Sequence, residues 1–460
     1  MAEFRVEKDS MGEVRVPAEA YYGAQTRRAI ENFPVSGVPM PLPVVYAAAM
    51  IKGLGAEVNA GLGLLPAPLA EAISRAAREV LEGKFDGEFV VDVFQTGSGT
   101  STNMNVNEVL ANRANELLGR PKGSNSPVHP NDHVNRCQSS NDVIPSAIRI
   151  AARRRLSEAL LPALEGLRDA LAAKAGESSD IMKIGRTHLQ DAVPVTLGQE
   201  FSGYASQVDH GIRRVRATFR DLEELPLGGT AVGTGLSAHP EFGVRTIAEI
   251  DTLTGIPFRP AENRFEAMGA QDPLVSASGA LKGLAASLMK ICHDLRLLSS
   301  GPRCGIGEID LPPLQPGSSI MPGKVNPVIL EVGIQVSAQV IGNDAAVTLG
   351  GSLGVLELNV MLPLMARNLL ESIGLLSAAA GLLADRCVAG ITPNRKRCGE
   401  LIEQSLAMVT PLAVTIGYDR AAELAHEAYH SGKTIRAILL ERKILPEEEI
   451  RKILDPKSMI

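Results

Sequence analysis

Apolar residues recur at three- and four-residue steps over long stretches of this chain, and that periodicity constrains the fold more than any other feature. From Asp142 to Lys174 the apolar positions are Ile144, Ile148, Ala151, Leu156, Leu160, Leu164, Leu167 and Leu171. They form a stripe down one face of a helix about 50 Å long. Asn141 or Asp142 can cap its start, Pro145 suits a first turn, and Pro162 predicts a kink. Similar stretches cover 194–222, 273–299, 326–349 and 357–388. Five such stripes cannot bury themselves singly, so they predict a bundle, and stripes this long and wide suit packing between subunits. Small residues at Ala280, Ala285 and Ala286, and at Ala378, Ala379 and Ala380, allow neighbouring helices to approach closely.

The flanks read differently. Residues 1–140 mix short helices with loops rich in Gly, Pro and Asn, and after Ile391-Thr392-Pro393 the chain becomes short, charged helices. The expectation is an all-α chain of three domains: 1–140 of short helices and loops, a central long-helix bundle over 141–392, and a small helical domain over 393–460. A chain of 460 residues is too long for one compact core.

Charge and cysteine usage exclude several classes. A net charge of -6 over 460 residues argues against a nucleic-acid binder. The longest apolar run, about Ser372 to Ala384, falls short of the roughly 20 residues that cross a bilayer, so no membrane span is expected. The opening MAEFRVEKDS has no apolar core and no cleavage site, so no secretory signal is read. Cys137, Cys292, Cys304, Cys387 and Cys398 are odd in number, scattered and without a CxxC pair. That pattern fits free thiols in the cytoplasm and argues against iron–sulfur or zinc-thiolate sites.

The sharpest local signal is Gly317-Ser318-Ser319-Ile320-Met321-Pro322-Gly323-Lys324-Val325-Asn326-Pro327. Two glycines bracket a loop in which two hydroxyls, a lysine and an amide precede a predicted helix, an arrangement suited to holding an anion. It is not a Walker loop: five residues separate Gly317 from Gly323, and Val325 stands where a Ser or Thr would hold magnesium. Two metal patterns are weaker. His129, Asp132 and His133 have ligand chemistry, but Pro130 disfavours a helical pair. His426-Glu427-Ala428-Tyr429-His430 matches HExxH, a short pattern in a C-terminal segment with no evident cleft, and its histidines are read as surface residues. Gly233-Thr234-Gly235 is too little for a dinucleotide fingerprint.

The 317–327 loop resembles the GSSxMPxKxNP signature of the fumarase/aspartase superfamily at every fixed position. Three further blocks agree, in order: Thr96 to Asn105 with Asn107-Glu108; His129-Pro130-Asn131-Asp132 running to Gln138-Ser139-Ser140-Asn141-Asp142; and Gly185 to Ala192 continuing to Gly198-Gln199-Glu200. Within the superfamily, His188 after Arg186-Thr187 and Gly323 before Lys324 are similar to the fumarase branch, where aspartases carry Gln and Ala. Gly342-Asn343-Asp344 and Glu357-Leu358-Asn359-Val360 point the same way.

The resemblance implies a fold of three helical domains whose long helices assemble into a homotetramer. It implies metal-independent, cofactor-free hydration of a small dicarboxylate, with aspartate ammonia-lyase chemistry as the alternative. A structural protein on the same fold is a third reading, which the intact site residues oppose. Ser318 is then the candidate base, Lys324 and Asn326 bind a carboxylate with Ser319 and Val325 beside them, and His188 with Glu331 form an acid/base dyad. Ser98, Gly99, Thr100, Ser139, Ser140, Asn141 and Thr187 contact the substrate from other segments, and one site draws on three subunits. His129, Pro130, Asn131 and Asp132 resemble an accessory dicarboxylate site, although Ser126 stands where some relatives carry a basic residue.

Overall fold

A computed structural model describes residues 3–460; Met1 and Ala2, which open the segment read as free of a secretory signal, lie outside the described residues. In chain order the elements are β1 (Phe4–Asp9), β2 (Gly12–Pro17), α1 (Ala24–Asn32), α2 (Leu42–Gly61), α3 (Ala67–Leu81), α4 (Thr100–Leu117), α5 (Ser140–Arg155) and α6 (Leu161–Glu177). There follow β3 (Met182–Thr187), β4 (Gln190–Thr196), α7 (Leu197–Ala217), α8 (Phe219–Leu222), β5 (Glu224–Leu225), α9 (Phe242–Thr254), β6 (Arg259–Pro260), α10 (Arg264–Gly269) and α11 (Asp272–Leu298). The remainder is β7 (Ile309–Asp310), α12 (Val328–Ser352), β8 (Gly354–Val355), β9 (Leu358–Asn359), α13 (Leu362–Leu382), β10 (Thr392–Pro393), α14 (Arg395–Gln404), α15 (Leu412–Ile416), α16 (Tyr418–Ser431), α17 (Ile435–Arg442) and α18 (Glu447–Ile453). The chain is 62% helical and has the all-α fold expected. Its strands form two-stranded sheets: β1–β2, β3–β4, β7–β10 and β8–β9 antiparallel, β5–β6 parallel.

The chain divides into two compact units. One comprises Met1–Leu161, Arg213–Gly283 and Gln339–Leu376; the other comprises Pro162–Ile212, Leu284–Ala338 and Ser377–Ile460. In the first, α2 is the central helix, packed against α3, α4, α5 and α9. Its sequence is apolar nearly all round, as a fully enclosed helix requires, and a Cβ on Gly53 would lie 2.7 Å from the Cβ of Ala77, so α2 and α3 meet without side chains between them. In the second unit, Ile184 of β3 joins Ile402, Met408, Leu412, Leu424, Ile435, Ile438, Leu439, Ile450 and Leu454 in a core under the C-terminal helices.

Several elements differ from the sequence reading for identifiable reasons. The stripe over 142–174 is α5, a π-helical turn over Leu156–Leu160, and α6. Pro162 offers no N–H to the carbonyl four residues back, and the chain takes the wider turn just before it. The helix expected from Pro194 begins at Leu197, because Pro194 lies in β4, and the one expected from Glu357 begins at Leu362. In the first 140 residues α2 and α4 have 20 and 18 residues and are not short. Their buried polar positions hid the helical period.

Two long helices bear on the membrane expectation without overturning it, since a core helix of a folded chain passes the same test of length and composition. The stretches Asp272–Leu298 and Leu362–Gly390 are long and apolar enough to span a bilayer by length and composition, with 44% of each window buried within the chain. The Ser and Gly residues that interrupt the apolar run in the sequence barely lower the mean hydropathy of a long helix. All five cysteines are unpaired. Burial pushes the Cys292 and Cys387 thiols up to about 12 and Cys398 up to about 11, so at neutral pH they are packed as small apolar groups.

Candidate active site

In the first unit two helix N-termini carry candidate site residues. Gly99 caps α4 in the left-handed region at φ 75°, and no acidic residue stands in the helix's first turn. The positive end of the helix dipole and its unpaired N–H groups are thus available to an anion. Ser98 Oγ and Thr100 Oγ1 share a hydrogen bond of 2.9 Å there. Glycine is required twice: a Cβ on Gly97 would sit 1.7 Å from the Val360 carbonyl oxygen, and one on Gly99 would sit 2.8 Å from Ile144 Cγ2 of α5. Glu108, further along α4, is buried and accepts from the backbone N–H of Gly23, Gln25 and Thr26 and from the Thr26 hydroxyl, so its carboxylate caps α1.

Helix α5 is capped by Ser139. The Asn141 N–H donates to Ser139 Oγ, and the Ser139 N–H donates to Asp142 Oδ1 at 2.9 Å. The other oxygen of Asp142 accepts from the N–H groups of Gly228 and Thr230. Burial pushes this carboxyl up to about 6, against the pull of those three N–H groups and of Lys52. Asn141 Nδ2 donates to the Ala231 carbonyl at 2.8 Å. Ser139 and Asn141, expected to contact substrate, thus also tie the 228–231 loop to the start of α5, while Ser140 is buried beside them. Asp142, read in the sequence as a candidate cap, is not the cap itself: Ser139 is, and Asp142 closes the capping box and organises this helix start.

In the second unit β3 and β4 form a hairpin in which Thr187 pairs with Gln190. The connecting residues are His188 (φ 55°) and Leu189 (φ 60°), both left-handed. Two positive φ values in a two-residue connection define a type I′ turn, normally Asn-Gly. Here an imidazole and an exposed leucine occupy it, each at a steric cost of about 1 kcal/mol. The base of the hairpin is pinned by a buried charge cluster. Arg186 grips Glu308 through two bonds of 3.0 and 2.9 Å, and Lys183 bridges Glu308 at 3.2 Å and Glu200 at 3.0 Å. Burial raises the Glu200 carboxyl above the usual carboxylate range, with Lys183 pulling it back.

The 317–326 loop also belongs to the second unit and closes on itself. The Gly317 N–H donates to the Lys324 carbonyl at 2.7 Å, and Asn326 Nδ2 donates to the Gly317 carbonyl at 2.7 Å. A Cβ on Gly317 would lie 2.8 Å from the Asn326 nitrogen, so glycine is needed at this pinch. Ser318 Oγ accepts from the N–H groups of Ile320 at 3.3 Å and Met321 at 3.0 Å. Ser318 and Lys324 line one cavity of about 410 Å³ with Val325, Gly323 and Met321. Ser319 is exposed on the same loop, and Glu331 stands in the first turn of α12. Among the described residues, no hydrogen bond or ion pair joins Glu331 to His188 within the chain.

His129 caps a π-helical turn over Pro130–Val134, its Nδ1 accepting from the N–H groups of Asn131 and Asp132. Asp132 Oδ2 also approaches His129 Nδ1, at 3.4 Å. His129, Pro130 and Asn131 line a cavity of about 270 Å³ that also holds Glu7, Asp9, Glu108 and Lys8. His426 and His430 are exposed on α16, beside an apolar cavity of about 730 Å³, and Glu427 is paired with Arg442 at 2.9 Å. Among the described residues, no group of three His, Cys, Asp or Glu side chains is arranged to hold a metal ion.

Comparison with known proteins is consistent along the chain. Residues 12–342 match a family described as lyase, and residues 408–460 match one described as fumarase C C-terminus. The class II fumarate hydratase of Yersinia pestis is 54% identical over 460 residues, covering 100% of this chain and 99% of that protein. The mitochondrial fumarate hydratase of Rattus norvegicus is 51% identical over 459 residues, covering 99% of this chain and 90% of its own. The crystal structure of the class II fumarase from Schistosoma mansoni superposes with a TM-score of 0.96 at 42% identity, covering 99% of each chain.

Proposed function

The chain belongs to the class II fumarate hydratases, which add water reversibly to fumarate to give (S)-malate, and we propose the following roles for its residues in that reaction. In the malate-to-fumarate direction C3 must lose a weakly acidic proton, and charge builds on the adjacent carboxylate as an aci-carboxylate. The reaction needs a base, a hydrogen-bonding and cationic environment for that charge, and an acid for the departing hydroxide.

Ser318 takes the C3 proton. The observation that carries this role is the pair of N–H groups, from Ile320 and Met321, aimed at its Oγ. A serine hydroxyl is a poor base at neutral pH, and two backbone dipoles on the oxygen stabilise the alkoxide it must become. Lys324, facing the same cavity, adds a positive charge and binds a carboxylate with Ser319, Val325 and Asn326. The α4 start at Ser98, Gly99 and Thr100, the α5 start at Ser139, Ser140 and Asn141, and Thr187 receive the substrate's remaining oxygens. His188, coupled to Glu331, activates the water or protonates the leaving hydroxide. No metal or other cofactor takes part.

The working form is a homotetramer that shares its sites between subunits. Among the described residues the side chains of His188 and Glu331 share no hydrogen bond or ion pair with each other, and α12 exposes Val332, Ile341 and Leu349, apolar groups that a neighbouring helix would cover. The cytoplasm is its location, consistent with five unpaired cysteines. His129, Pro130, Asn131 and Asp132 form a second dicarboxylate site. The shared cavity of His129, Pro130 and Asn131 with Lys8 supports it, and the carboxylates of Glu7 and Asp9 in the same cavity oppose it.

The test is fumarate production by purified, chelator-treated protein given malate and aspartate in parallel, with Ser318→Ala alongside. Fumarate from malate alone, and loss of nearly all turnover in the variant with assembly unchanged, is the expected result. Activity in Ser318→Ala within a factor of about two of the parent, roughly 0.4 kcal/mol in barrier, places the base elsewhere.

A further inference from the structure

Lys52 is wholly buried in the middle of α2, with 0% of its surface exposed. Its ammonium donates to two neutral oxygens, Asn135 Oδ1 at 3.1 Å and Gln138 Oε1 at 3.3 Å. The same Asn135 oxygen accepts from Asn103 Nδ2 and Asn107 Nδ2 of α4, both at 3.2 Å. Three donors therefore converge on an amide oxygen with two lone pairs. The turn that carries Asn135 is tied further: Asn135 Nδ2 donates to the Gln138 carbonyl, Gln138 Nε2 to the Val134 carbonyl, and Asn59 Nδ2 of α2 to the Arg136 carbonyl.

A buried ammonium held by neutral oxygens is costly, and a well-packed apolar side chain often serves stability as well or better. What an apolar side chain cannot do is hold this turn, and the position of the turn explains the need. Residue 138 runs directly into Ser139, the cap of α5, and Asn103 lies one helical turn after Thr100 at the start of α4. The two starts are close, since a Cβ on Gly99 would meet Ile144 of α5 at 2.8 Å. The network therefore links α2, the start of α4 and the approach to α5.

We propose that Lys52 is a positioning residue for the hydration, its ammonium fixing through Asn135 and Gln138 the spacing of the two helix N-termini that receive the substrate's remaining oxygens. This rests on the reading of Ser98–Thr100 and Ser139–Asn141 as a substrate subsite. Lys52 touches no substrate, so its effect appears in binding. The groups assigned to proton transfer, Ser318, His188 and Glu331, belong to the other unit and are left in place.

The test uses the whole chain with Lys52→Met, which keeps most of the side chain's length and removes the ammonium, and Asn103→Ala, which removes the tie nearer the start of α4 and leaves that of Asn107. The readouts are kcat, KM for fumarate, and the inhibition constant of succinate, a C4 dianion that cannot be hydrated. In Lys52→Met, KM and the succinate constant should rise together by about tenfold or more while kcat falls less than threefold. Asn103→Ala should move both constants in the same direction. If Lys52→Met folds and both constants stay within twofold, or if kcat falls while both stay, Lys52 does not position these helix starts. Should Lys52→Met fail to fold, Asn103→Ala decides on the same constants. Thr100→Ala separates the two levels of the argument. If it weakens succinate and the network variants do not, the role of Lys52 is wrong and the subsite stands; if it leaves succinate unmoved, the subsite reading itself fails.

Discussion

The tip of the β3–β4 hairpin allows the structural and chemical roles of one residue to be separated. His188 and Leu189 both hold left-handed backbone, at φ 55° and 60°, in a turn whose favoured sequence is Asn-Gly. His188→Asn removes the imidazole and puts in its place the residue that tolerates this backbone best after glycine. The strain at one such position is about 1 kcal/mol, so the variant should be as stable as the parent or more stable by a fraction of that amount. For a chain of this size, 1 kcal/mol corresponds to no more than about 2–4 °C in melting temperature. A group that moves a proton in the transition state contributes roughly 10²–10⁴ in rate, about 3–5 kcal/mol. The expected outcome is a melting temperature unchanged or slightly raised, with turnover of malate down at least a hundredfold by fumarate absorbance. Leu189 is 68% exposed, and Leu189→Gly should relieve its own strain without loss of turnover. A His188→Asn variant that melts many degrees lower would make His188 a structural part of the hairpin. One that turns over within twofold of the parent would remove it from the proton-transfer scheme.

Three further outcomes follow from the geometry. Glu308→Gln leaves Lys183 and Arg186 without their shared buried carboxylate, and should cost about 3–5 kcal/mol in stability by denaturant unfolding, while a loss under 1 kcal/mol would mean the cluster holds little. Gly97→Ala places a methyl 1.7 Å from the Val360 carbonyl oxygen, so it should fold poorly or melt markedly lower, and a normal melting curve would show that the 97–99 loop has room to move. Lys52 gives a pH signature: burial lowers it from 10.5 to about 7, so the folded state holds fewer protons than the unfolded one between those values. Stability of the parent relative to Lys52→Met should therefore climb from pH 7 toward pH 9, by at most about 1.4 kcal/mol per pH unit, and a flat difference would show that Lys52 titrates as an exposed lysine does.

The long helices were legible because each buries one stripe, and a stripe survives in sequence as a three-to-four spacing. What was not legible is instructive. The last residues of the hairpin, Pro194 to Thr196, fell inside the helix read from 194, and no local rule reads His188-Leu189 as a type I′ turn, since neither residue favours it. Helices α2 and α4 were underestimated because Lys52, Asn59, Asn103 and Asn107 occupy buried positions, and a polar residue in a periodic pattern reads as a solvent face. The loop residues Ser318, Lys324 and Asn326 were found by resemblance. Only the structure showed that Asn326 also closes the loop, and that the N–H groups of Ile320 and Met321 reach the serine oxygen. The HExxH match shows the reverse case, in which two histidines at the correct helical spacing lie exposed while the intervening glutamate is committed to Arg442.

Both units place costly buried charge beneath a stretch of backbone that carries candidate functional groups. Under the hairpin, Lys183, Arg186, Glu200 and Glu308 compensate one another; under the α4 and α5 starts, Lys52 and Asp142 are held largely by neutral amide and backbone groups. Replacing such groups with apolar residues of the same volume is often neutral or stabilising, so stability alone does not account for them. An apolar core fills space but leaves a loop's N–H and C=O groups unassigned. A charged group accepts or donates several hydrogen bonds in fixed directions, as Asp142 does with three N–H groups from two separate segments. That number of directed bonds lets a turn without regular secondary structure keep one conformation, and a helix start must keep its N–H groups aimed if it is to hold a dianion. Apolar replacement at Lys52 or Glu308 should therefore disturb the backbone above the site, with or without a loss of overall stability.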